Sequence, residues 1–171
     1  RARLERIEML LRQVSKQARE LADRNVAALK ADDVDAIIVN VAGCGSMLKD
    51  YGHHWHDEGQ EARAGFASKV RDCSEFLDQL GLIPPVGEIR LTATYHDACH
   101  LVHAQRVREQ PRNLLKRIPG LKLVELAESE LCCGAAGTYN LTEPEMAERL
   151  DKLERIEEQL VPAVDQGLLV D

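Results

Sequence analysis

Glu128-Ser129-Glu130-Leu131-Cys132-Cys133-Gly134-Ala135-Ala136-Gly137-Thr138-Tyr139 follows Lys122-Leu123-Val124-Glu125-Leu126, a run that alternates apolar and charged residues. Such alternation marks a strand with one buried face. Adjacent cysteines reach the torsion of a mutual disulfide only with strain, so the pair reads as two thiols offered to one shared centre. Gly134 and Gly137 permit a tight turn and close backbone approach. A helix starting just beyond them aims its free N–H groups and dipole at sulfur and favours thiolate over thiol. Strand, cysteine pair, glycine turn and helix start together form an anionic sulfur site. The plainer reading is two small buried residues at a strand end, which cysteine often supplies.

Working outward, the same order recurs. Asp35-Ala36-Ile37-Ile38-Val39-Asn40-Val41 is a continuous apolar run, as in a buried parallel strand, and ends in Ala42-Gly43-Cys44-Gly45-Ser46. A short helix is expected from Ser46 to Tyr51-Gly52. Ile89-Arg90-Leu91-Thr92-Ala93-Thr94-Tyr95 reads as another strand and delivers His96-Asp97-Ala98-Cys99-His100.

Helical periodicity fills the intervals. Leu4, Ile7, Leu11, Val14, Ala18 and Leu21 recur at steps of three and four, predicting a helix to about Leu29 whose apolar face packs on a sheet. The same spacing fits a coiled-coil seam over only three heptads. A second helix is expected from Gln60 to Leu80, with Phe66, Val70, Cys73, Leu77 and Leu80 on one stripe, which makes Cys73 a core residue rather than a ligand. Helix resumes at Leu101, restarts near Pro111 and stops at Pro119-Gly120. Pro144 suits the first turn of a last helix, and Leu168-Leu169-Val170 reads as a final strand or a frayed end.

Strands alternating with helices imply an α/β fold, a mostly parallel sheet flanked by helices. Such folds bind ligands at the carboxyl ends of their strands. Cys44, Cys99, Cys132 and Cys133 are all expected there, and Cys73 is not.

Composition narrows the partners. A net charge of -7, from 22 basic and 29 acidic residues, argues against nucleic acid or an anionic membrane as the main partner. No apolar run approaches a membrane span and no signal peptide is evident. Five cysteines are an odd number in a chain too large to need staples, which points to a reducing, cytoplasmic setting. The Asn140-Leu141-Thr142 sequon then carries no glycan. His53, His54 and His56 beside Trp55 read as an exposed polar loop rather than a metal cluster.

At three places the sequence resembles a known family. Val41-Ala42-Gly43-Cys44-Gly45-Ser46 with Lys49-Asp50-Tyr51-Gly52-His53, Tyr95-His96-Asp97-Ala98-Cys99-His100-Leu101, and Glu128-Ser129-Glu130-Leu131-Cys132-Cys133-Gly134 are similar to the cysteine-rich CCG domain. That domain occurs in glycolate oxidase-type iron–sulfur subunits and, more distantly, in lactate-utilisation and heterodisulfide reductase-like proteins. The resemblance spans roughly residues 22–150, with little signal in the helical ends at 1–20 and 151–171. It implies two domain copies in each polypeptide, each offering an opening cysteine, a CC pair and a closing cysteine. Cys99, Cys132 and Cys133 match the second copy, and Cys44 matches the closing cysteine of the first. The other ligands of the first copy and the closing cysteine of the second have no match. Residues 1–171 are therefore expected to be one CCG-type domain, a fragment of a larger iron–sulfur subunit. Ala98 stands where the family often has proline.

The resemblance implies an iron–sulfur cluster of the 4Fe–4S type, with Cys99, Cys132 and Cys133 as ligands, that relays electrons in a 2-hydroxy-acid oxidoreductase. Cys44 belongs to the other centre in the family's arrangement, but it stands at a similar strand end in a similar glycine setting and is expected to complete the ligand set here. The chain then partners flavin-containing subunits, at most peripherally at the inner face of the membrane, and turns over no substrate alone. Pairing of two copies about a twofold axis is a further expectation. His96, His100 and His103 are outer partners or alternative ligands. Two other readings stay open. Zinc suits Cys99, Cys132 and Cys133 with His100 or His103, since residues four apart share a helix face. A metal-free interaction module would remain if truncation removed the centre.

Overall fold

The structure, a computed structural model, describes residues 2–30, 33–130 and 139–153. The chain divides into two compact units, Arg1–Cys73 and Ser74–Asp171. The first contains α1 (Ala2–Leu29), β1 (Ile37–Val39), α2 (Ala42–Lys49), α3 (Tyr51–His54), α4 (Gln60–Lys69) and β2 (Val70–Asp72). In the second, α5 (Cys73–Leu80, starting at the boundary) precedes β3 (Thr92–Thr94), a π-helical turn (His100–Ala104), α6 (Glu109–Lys116) and β4 (Lys122–Val124). Two further helices follow, α7 (Tyr139–Thr142) and α8 (Pro144–Leu153), the latter opening on proline as its missing N–H allows.

The strands are parallel, as the alternation of strand and helix implies. They form two separate two-stranded sheets, one in each unit. Ile37 pairs with Val70 and Val39 with Asp72 in the first, Thr92 with Lys122 and Thr94 with Val124 in the second.

The core of the first unit is Ala22, Tyr51, Phe66 and Val70, with Val26, Ile37, Val39, Leu48, Trp55 and Ala67 packed around it. The Tyr51 and Phe66 rings stack at 5.8 Å. Gly52 makes this packing possible, because a Cβ there would lie 2.9 Å from the Cα of Ala64 on α4. In the second unit Gly120 turns the chain into β4 at φ +82°, with the Glu88 side chain where a Cβ would stand.

Three expectations are corrected. The helix expected over 60–80 is interrupted by β2. Its apolar stripe has helical period, yet Val70, fully buried, contributes more as a strand residue hydrogen-bonded to β1. Cys73 therefore opens α5 directly after a strand and is half-buried, not a core residue in mid-helix. The stripe of α1 is not what α1 buries. Ile7, Leu11, Val14 and Leu21 are exposed, and Ala22 with Val26, one turn apart, meets the core instead.

An ionic knot closes the first unit. Arg63 on α4, 1% exposed, donates to Asp23 Oδ1 on α1 at 2.6 Å, to the Trp55 carbonyl at 3.3 Å, and to Asp57. Its guanidinium also lies 5.6 Å from the Trp55 ring centroid, and Arg19 on α1 reaches Asp57 at 3.0 Å. The Arg63 hydrogen bond, aided by the Gly59 N–H and Arg19, holds the Asp57 carboxyl below its ordinary range despite desolvation.

A carboxylate whose folded pKa is depressed contributes stability above its unfolded pKa, about 4, and loses it as pH falls through the folded value. Asp57→Asn should thus be less stable than wild type at neutral pH, with the gap closing as pH falls below about 4 in urea-unfolding curves. A gap of constant size across that range would refute the linkage.

Candidate metal centre

Cys44 and Cys99 occupy matching places. Each stands five residues beyond the end of a parallel strand, Cys44 after β1 and Cys99 after β3. Cys44 is exposed and lies inside α2, which begins at Ala42 rather than at Ser46 as expected. The Gly45 N–H already donates to the Val41 carbonyl at 2.8 Å, so the glycine-flanked segment is helical rather than an open turn. Cys44 belongs to the first unit and Cys99 to the second. Cys132, Cys133, Gly134, Gly137 and the expected strand Leu168-Leu169-Val170 lie outside the described residues. Among the described residues no three His, Cys, Asp or Glu side chains converge as a metal site.

Cys99 is half-buried and adopts helical dihedrals where the π turn begins. Its Sγ lies 3.6 Å from His100 Nδ1. His103, expected to share a face with Cys99, instead places Nε2 3.2 Å from the Glu130 carbonyl. A carbonyl only accepts, so Nε2 carries the proton. The wider π turn, closed by Gln105 N–H on the His100 carbonyl, alters the i, i+4 relation of a regular helix. His96 is half-buried beside the buried Asp97.

Just before this turn in the chain, Asp97 takes part in a buried and densely bonded group. Arg112 on α6 is 3% exposed and Asp97 is 2% exposed. Arg112 Nη1 donates to Asp97 Oδ1 at 2.7 Å and Nη2 to Asp97 Oδ2 at 2.8 Å, a paired fork-to-carboxylate contact. Its other N–H groups reach the Arg108 carbonyl at 3.0 Å, Ser129 Oγ at 3.3 Å and Glu125 at 3.1 Å. All of the guanidinium's N–H donors are thereby used. Ser129 in turn donates its hydroxyl to Asp97 Oδ2 at 2.8 Å, and the Tyr95 ring covers the guanidinium at 5.2 Å. Burial pushes the Asp97 carboxyl up, but the Arg112 and Ser129 hydrogen bonds and the Arg112 charge outweigh it and hold it below the ordinary range. The Asp97 bond raises the pKa of Arg112 against its burial.

In the sequence Asp97 appears only as part of the stretch that delivers Cys99, and Arg112 is not singled out at all. Arg112 follows Pro111 in a strongly polar helix and reads there as a solvated side chain. No pattern in the sequence marks the pair, because the burial that makes Asp97 require a cation exists only in the folded chain.

These features match a family. The sequence fits the family described as CCG, cysteine-rich domain, over residues 8–49 and 93–163, more than half of its length. The chain belongs to the cysteine-rich CCG domain family. It is 40% identical over 136 residues to the probable glycolate oxidase iron-sulfur subunit of Bacillus subtilis (strain 168), covering 77% of this chain and 31% of that protein. Over 138 residues it is 39% identical to a fumarate reductase (CoM/CoB) subunit of Methanothermobacter marburgensis, covering 78% of this chain and 25% of that one. Lactate utilization protein A of Geobacillus kaustophilus is 30% identical over 164 residues, 91% of this chain and 68% of the relative. The chain thus spans about a third or less of the length of these first two relatives. No solved structure matches it.

The exposures order the thiols of the metal-free protein. Iodoacetamide followed by peptide mapping should label the exposed Cys44 before the half-buried Cys73 and Cys99. Faster labelling of Cys99 would contradict that order.

Proposed function

We propose that this chain is the electron-relay domain of an oxidoreductase complex, a CCG-type part of a larger iron–sulfur subunit. Its cluster is of the 4Fe–4S type, and its thiolate ligands are Cys99, Cys132 and Cys133, with Cys44 as the fourth. The observation that carries the reading is the placement of Cys99 beyond a parallel strand, on a turn whose Asp97 is locked to Arg112. The relative named as a probable glycolate oxidase iron-sulfur subunit supports it. Thiolates are the donors that iron–sulfur clusters take, and such a group supplies one-electron transfer when bound. This chain's own contribution is to position the sulfurs, limit their contact with water and offer N–H groups to them.

The proposed partners are flavin-containing subunits that oxidise a 2-hydroxy acid such as glycolate, with electrons passing on to a quinone or other acceptor. No helix among the described residues is long and apolar enough to cross a membrane. The proposed setting is the cytoplasm, with peripheral contact at the inner face of the membrane. A homodimer is a further form in which the ligand set can be completed.

Anaerobically prepared protein should contain iron and acid-labile sulfide, with broad visible absorption that bleaches on reduction. Cys44→Ser should lose as much iron as Cys132→Ser. Full iron in Cys44→Ser would move the fourth ligand to His100, His103 or solvent. Stoichiometric zinc without sulfide would replace the cluster with a structural zinc site, and the absence of both metals would leave a metal-free interaction module.

A further inference from the structure

We infer that Arg112 is the positioning residue of the Cys99 site, holding the turn that carries Cys99 against the segment that leads to Cys132. The consequence for a cluster rests on the function proposed above, whereas the geometry stands without it.

Four ties join the two segments. The Asp97 N–H donates to the Ser129 carbonyl at 2.7 Å, and the Ser129 hydroxyl to the Asp97 carboxylate at 2.8 Å. His103 Nε2 meets the Glu130 carbonyl at 3.2 Å, and Arg108 meets the Glu130 carboxylate at 2.9 Å. Arg112 lies at the centre, bonded to Asp97 and Ser129 together. In the covalent sequence Cys99 follows Asp97 by two residues and Cys132 follows Ser129 by three. At about 3.8 Å per residue, little chain is free between Asp97 and Cys99.

Burying two opposite charges is a weak device for stability, because desolvation cancels much of their attraction. It is a strong device for geometry, because a planar fork on a carboxylate accepts one orientation. Lysine would preserve the charge and lose the fork, so Arg112→Lys separates positioning from electrostatics.

The test compares wild type, Arg112→Lys, Arg112→Met and Ser129→Ala in the full chain. In metal-free protein, hydrogen exchange of the Asp97 amide should accelerate at least about tenfold in both Arg112 variants, the factor carried by one charge-assisted hydrogen bond. Iodoacetamide labelling of Cys99 should rise with it, while amides of the first unit such as Phe66 keep their protection. In iron-loaded protein, Arg112→Lys should also shift the visible spectrum and the midpoint potential. Wild-type exchange and Cys99 labelling in Arg112→Lys would overturn the inference. If the Arg112 variants lose protection everywhere, Ser129→Ala decides, since a smaller change confined to Asp97 and Cys99 supports the role and no change overturns it. Failure of the wild-type chain to take up iron would defeat the proposed function, and the exchange and labelling comparison would still decide the role of Arg112.

Discussion

Burying an arginine is costly in proportion to the donors left unoccupied, and Arg112 in the second unit leaves none. Removing a guanidinium from water costs several kcal/mol, roughly, and a single partner does not repay it. Here two oxygens of Asp97, the Ser129 hydroxyl, the Glu125 carboxylate and the Arg108 carbonyl take every N–H. These partners come from the start of α6, from the segment after β3 and from the segments after β4. Satisfying one side chain therefore determines how three stretches of chain lie together. The turn bearing Cys99 is one of them.

The first unit uses the same device less completely. Arg63 joins α1, the loop after α3 and α4 through Asp23, Asp57 and the Trp55 carbonyl, yet its Nε is buried without a partner. Asp23 remains half exposed, at 50% of its side-chain surface, so water shares the ionic work there. The reliance on arginine in both units follows from how little the strands supply. Each sheet is a pair of three-residue strands, and a two-stranded sheet is marginal by itself. Aromatic residues are only 4% of the chain, so large rings are scarce as core filler. Polar knots on helices complete what the small sheets begin.

Placement of the two described candidate thiols follows from the strands instead. A parallel strand must hand the chain to a crossover at its carboxyl end, and there the backbone turns and side chains from different segments converge. Cys44 and Cys99 stand at that handover in separate units, at equal distances past β1 and β3. They differ in what surrounds them. Cys44 lies exposed in a regular helix, whereas Cys99 is half-buried on a π turn just after the Asp97 of a saturated ion pair.

The sequence by itself determined the parallel α/β character, the strands near 37–39, 92–94 and 122–124, the proline start of α8 and the motifs that mark a CCG domain. Each rests on local pattern, an apolar run, an alternation or a turn residue, that a chain displays before it folds. Other features were decided only by tertiary structure. The break of the 60–80 helix at Val70 comes from pairing with β1, far back in the chain, and it moves Cys73 from mid-helix to a strand end. The face that α1 buries was set by Phe66 and Val70, which reward Ala22 and Val26 over the more apolar stripe. Arg112 was the least legible of all. Periodicity reports which side of an element is apolar, but a buried charge is identified by its partners, and Asp97, Glu125 and Ser129 become its neighbours only when the chain has closed.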